Sequence, residues 1–125
     1  MTLTYKYIED NNMINHMTDL LEMHVKANLS LVANSNDMIS VTNIRVVTGQ
    51  DGVKYILADA QNDTDKKLDY VFVHFKLYLG DALSGISIAY VTNFSPKGRW
   101  KIDSAISPSI KFDSVKLGAI NIYTQ

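Results

Sequence analysis

Between Leu68 and Leu79 apolar side chains recur at every second position. In the tract Val71-Phe72-Val73-His74-Phe75-Lys76-Leu77-Tyr78, one face carries Val71, Val73, Phe75 and Leu77. The other carries Phe72, His74, Lys76 and Tyr78. A period of two belongs to a pleated strand, and a slip of one residue would turn the whole apolar set toward water. The first face is wholly apolar and is expected to line a core. The second is amphipathic, as for a central strand whose outer face is partly covered.

The same period runs from Met38 to the end of the chain. It gives candidate strands over residues 38–47, 53–61, 68–79, 84–92, 99–103 and 115–123. Turn chemistry separates them: Gln50-Asp51-Gly52, Asn62-Asp63-Thr64-Asp65, Leu79-Gly80-Asp81 and Ser95-Pro96-Lys97-Gly98. No helix-length apolar pattern lies between these strands, so parallel βαβ units are not expected. Short strands at such intervals imply an antiparallel sandwich or barrel.

Ahead of Met38 the period changes. Over residues 12–31 the apolar positions follow a helix, with Ile14, Met17, Leu21 and Val25 on one face and Met13, Leu20 and His24 widening it. Asn11 or Asn12 is placed to cap its start. Glu22 and Lys26 read as an i,i+4 pair on the wet side. Residues 33–37 are small and polar and read as a break. Residues 3–8 alternate weakly, as a short strand would. The expected division is an extension over residues 1–36 and a β-sandwich over 37–125.

Composition narrows the function classes. At 125 residues, one domain is expected. Twelve basic residues against thirteen acidic ones give a net charge of -1, which provides no field for gathering phosphates, so no nucleic-acid partner is expected. The absence of cysteine excludes a disulfide scaffold, a thiol nucleophile and a thiolate metal site. No apolar run approaches the roughly 20 residues that span a bilayer, so membrane insertion is not expected. Lys6, Glu9 and Asp10 interrupt any secretory leader at the start, which implies a cytoplasmic protein as written, or an envelope or virion component that reaches its place by another route.

The residues from 62 onward resemble the bacterial FxLYD domain family. Asn62-Asp63-Thr64-Asp65 followed by the tract ending Phe75-Lys76-Leu77-Tyr78 is similar to that family's polar turn and Phe-x-Leu-Tyr-Asp strand. The segment from Val91 to Ile102, with Pro96, Gly98 and Trp100, is similar to its downstream Pro-Gly and tryptophan segment. The resemblance covers about residues 40–123. Leu79 stands where the motif has aspartate, and Lys97 splits the Pro-Gly pair. The resemblance implies an immunoglobulin-like β-sandwich, a small non-catalytic module with no cofactor, its core centred on Phe75, Leu77 and Trp100.

Candidate chemical sites are sparse. His16 and His24 are eight apart, whereas a chelating pair on one helix sits three or four apart. His74 is alone on the polar face of its strand and reads as a surface or half-buried imidazole. Asp59, Asp63, Asp65 and Asp69 surround one turn, but Lys66 and Lys67 neutralise it and the EF-hand pattern fails, so a solvated turn is expected in place of a calcium site at Asp63 and Asp65. Lys97-Gly98-Arg99-Trp100-Lys101 reads as a hairpin with one apolar anchor rather than a base-stacking platform. Nucleophile elbows, phosphate loops and dinucleotide fingerprints do not occur, so no enzyme is expected.

What remains is protein–protein interaction. Met13, Met17 and Met23 lie in the helical region, where methionine either fills gaps as the helix packs on its own sandwich or serves as an adaptable contact to a partner. The expected interface is Met13, Met17, Leu20, Leu21 and His24, with the sandwich edges as further contact elements. It would serve a protein partner or self-association into a homo-oligomer. The expected protein is an interaction module of a bacterium or its phage. The alternative is a small phage or mobile-element protein that binds and modulates a host factor.

Overall fold

The structure is a computed structural model and describes residues 17–125. The expected strand at residues 3–8, the caps Asn11 and Asn12, and Met13, Ile14 and His16 lie outside the described residues. Helix α1 occupies residues 17–28. Seven strands follow: β1 (Ser30–Leu31), β2 (Ile39–Thr48), β3 (Lys54–Asn62), β4 (Leu68–Leu79), β5 (Ala82–Phe94), β6 (Arg99–Ala105) and β7 (Ser114–Thr124). Each long strand overlaps one expected from the alternation.

The strands form two antiparallel sheets packed together, with orders β1-β7-β4-β5 and β2-β3-β6. Their inner faces make the core. Val71, Val73, Phe75 and Leu77 of β4 are fully buried, as the period-two pattern requires. They cluster with Ile56, Ala58 and Ala60 of β3, Ile102 of β6, and Ile120 and Ile122 of β7. Burying each large side chain stabilises the fold by about 1.5–3 kcal/mol. Trp100 lies at the rim of this core, half-buried and edge-on to Phe94 at 6.2 Å between ring centroids.

The outer face of β4 is covered too. Phe72 is fully buried with Val25 of α1 and Tyr123 of β7, and Leu21, Leu29, Tyr70 and Ile88 pack against them. Helix α1 is therefore a third layer, lying on the four-stranded sheet.

Two polar segments tie the layers. The break after β1 contains a tight helical turn, Ser35–Asp37, entered through Asn34 at φ 60°. Strand β1 pairs with only the last residues of β7. Beyond it, the Ile122 N–H donates to Ser35 Oγ at 3.2 Å and the Ile120 N–H to Asn36 Oδ1 at 3.0 Å. Side chains thus satisfy strand-edge donors that would otherwise be orphaned.

Asn62 ties the two turns. Its side chain is fully buried, and Nδ2 lies 2.8 Å from the Lys66 carbonyl, 3.1 Å from that of Phe94 and 3.0 Å from that of Ser95. Its Oδ1 accepts from the Thr64 N–H and hydroxyl. The expected Ser95–Gly98 turn closes through the Gly98 N–H to the Ser95 carbonyl at 2.9 Å. Lys97 takes the left-handed conformation in it, at φ 57°.

Candidate functional site

Helix α1 settles on the sheet along Thr18, Leu21, Glu22, Val25 and Leu29. This stripe has helical spacing but includes two polar residues. The expected single apolar face therefore divides. Leu21 and Val25 turn inward onto this chain's own sheet. Met17 and Leu20 turn outward and are 59% and 46% exposed, and Met23 joins them at 60%. His24 is also exposed. Of the expected interface, Leu21 is half-buried against Val25, Phe72 and Tyr123, and Met13 lies outside the described residues.

The division follows from Glu22. It does not form the expected wet-side pair with Lys26; it is buried at 6% exposure beneath the helix. Its Oε1 accepts from His74 Nε2 at 2.7 Å. Its Oε2 accepts from Asn121 Nδ2 at 2.8 Å and from the Tyr123 hydroxyl at 2.9 Å. Burial pushes the Glu22 carboxyl up, but the hydrogen bonds from His74, Asn121 and Tyr123 and the attraction to His74 outweigh it and hold the carboxyl below its ordinary value. Burial, followed by the bond to Glu22, pushes the Tyr123 hydroxyl up to about 12. His74 is thus half-buried and partnered, not alone on its face. A small cleft of about 210 Å³, rimmed by Asp19, Met23 and Lys26, opens over this quartet.

No single residue's pattern announces the quartet, because its members come from three elements, α1, β4 and β7, that are distant in sequence. The one local signal is that His74 and Phe72 share a strand face, which asks for cover.

The acidic residues around the β3–β4 turn go separate ways. Asp59 accepts from Lys101 at 2.8 Å and from Asn43 at 3.2 Å, and these bonds lower its pKa. Asp63 accepts from Ser40, Asp65 approaches Lys97 at 3.9 Å, and Asp69 accepts from Thr124 at 3.0 Å. Among the described residues no three His, Asp or Glu side chains gather to hold a metal ion. In the 97–101 segment, Lys97 and Lys101 are thus engaged by the β3–β4 region, and Trp100 anchors inward.

The resemblance residues occupy structural positions. Phe75 and Leu77 are fully buried, and Tyr78 is half-buried with Lys116 Nζ 5.3 Å from its ring centroid. A cleft of about 360 Å³ lies at the opposite end of the sandwich from the Asn62 turns, between residues 52–54 and 106–112. Lys54 Nζ lies over the Phe112 ring there at 5.3 Å. Among the described residues no helix is long and apolar enough to cross a membrane. No family model, curated protein or solved structure matches this chain.

Proposed function

We propose that the chain is a non-catalytic protein-interaction module of the FxLYD kind, from a bacterium or its phage, presenting helix α1 to a protein partner. One observation carries this reading. The helix is fixed to the sheet by a buried carboxylate with three donors, yet its other side leaves Met17, Leu20 and Met23 exposed. Large exposed apolar side chains grouped on a rigid element favour recognition by shape and apolar contact. The near-neutral chain suits that mode better than charge-driven binding.

The immunoglobulin-like character belongs to the same proposal. The order β2-β3-β6 facing β7-β4-β5, with the Phe75 and Leu77 strand at the centre of its sheet, supports it. The Asn62 clamp also supports the FxLYD resemblance, since it makes the first motif residue a determinant of both turns.

Site-specific photocrosslinking tests the function. A crosslinking residue at Met17 or Leu20 is expected to give discrete protein adducts in the native host, and one at Lys116 is not. Equal adducts from all three positions would reject the helix as the contact surface.

A further inference from the structure

Strand β5 is an edge: β4 pairs with one side of it, and among the described residues no strand pairs with the other. Its thirteen residues, Ala82–Phe94, contain no Lys, Arg, Asp, Glu or Pro. Natural edges of this length are blunted by charge, proline or bulges, because a row of unpaired N–H and C=O groups templates another strand. The register shift between Leu77 and Tyr78 lies at the start of β5, and the Ser84 hydroxyl contacts the Lys111 carbonyl there. That leaves the stretch from Ile86 to Tyr90 without such a device. Its outward-facing side chains Ile86 and Tyr90 are 42% and 45% exposed.

We propose that β5 pairs with β5 of a second copy of this chain, antiparallel about a two-fold axis at Ile88. Two features of the strand select a second copy. In that register Ile86 faces the other copy's Tyr90, Ile88 faces Ile88, and Ser87 faces Ala89. Apolar residues meet apolar ones on the outer face, and small residues meet small ones on the inner face. Such cross-strand pairs are the stabilising unit of a sheet. A two-fold pairing also brings like residues together, which a charged edge would oppose and this uncharged one does not. The two four-stranded sheets would then run on as one.

Edge pairing of this extent falls in the small interface class, below about 1,200 Å², so a reversible micromolar dimer is expected. The proposal concerns β5 and does not depend on what α1 binds. Sedimentation equilibrium of the described fold in its full chain reads it directly. Ile86→Lys and Tyr90→Glu should each weaken association about tenfold or more. The double variant I86K/Y90E should recover much of the loss, because each new ammonium then faces a new carboxylate across the axis. A monomer throughout the micromolar range, or a double variant as weak as the singles, overturns the proposal. Amide hydrogen exchange on the unsubstituted chain needs no variant to fold. Protection over residues 86–90 that rises with protein concentration supports the pairing, and protection independent of concentration overturns it.

Discussion

Glu22 Oε1 lies 2.7 Å from His74 Nε2, across 52 residues of sequence. This contact makes the helix part of the fold, since the same carboxylate also holds Asn121 and Tyr123 of β7. Removing it leaves three donors facing a gap without acceptors. Glu22→Ala should destabilise the chain by about 3 kcal/mol, the scale for breaking a buried hydrogen-bonded charge. Glu22→Gln keeps an acceptor and should cost less. Urea unfolding followed by circular dichroism measures both. A Glu22→Ala loss under about 0.5 kcal/mol would show that the helix is not anchored here.

The same network sets the pH response. The Glu22 carboxyl is held below 4.5 when folded, so the unfolded chain binds its proton first as pH falls. Its contribution is complete above pH 4.5 and is lost as pH drops through the lower folded value. Tyr123 acts at the other limit. Its hydroxyl rises from 10 to about 12 on folding, so its contribution is complete below pH 10 and fades toward pH 12. Glu22→Gln should flatten the acid limb of stability against pH, and Tyr123→Phe the alkaline limb. Unfolding midpoints across both ranges test this; limbs unchanged in the variants would refute the assignment.

The two sheets were legible because each strand's alternation is a local property. Val71, Val73, Phe75 and Leu77 announce their burial without knowledge of their neighbours. The Gly80 and Gly98 turns are local in the same way. The helix seam was not legible. Hydrophobic period places Met17 with Leu21 and Val25, and it gives Thr18 and Glu22 to water. Only the sheet supplies the reason to bury a glutamate, in His74, Asn121 and Tyr123, which lie on other strands. The amphipathic outer face of β4 was the hint, since Phe72 required a cover.

That reversal predicts how substitutions divide along the helix. Met17→Glu, Leu20→Glu and Met23→Glu alter exposed side chains on the outward side of the helix, and each should change stability by less than about 0.5 kcal/mol. Val25 is 3% exposed between Phe72 and Tyr123. Val25→Ala should cost about 2 kcal/mol, and Leu21→Ala, half-buried at the same contact, somewhat less. Thermal melts of the five variants rank them. If Met17→Glu proved as costly as Val25→Ala, the outward face would be a packing face instead.

Asn62 offers a test on the far side of the molecule. Its amide nitrogen faces three carbonyls, and its oxygen serves Thr64. Asparagine alone supplies donors on one side and an acceptor on the other in this shape. Asn62→Asp keeps the volume but turns an acceptor toward the carbonyls of Lys66, Phe94 and Ser95 in a fully buried site. Asn62→Ala removes the clash of acceptors but leaves those carbonyls and the Thr64 N–H without the side chain. Both should cost about 2–4 kcal/mol, with Asp at least as harmful as Ala near neutral pH. Acid should narrow the difference, because a protonated carboxyl regains one donor. Denaturant midpoints at neutral and acidic pH measure the gap. An Asn62→Asp chain as stable as the unsubstituted one would mean that packing, not donor placement, holds the two turns together.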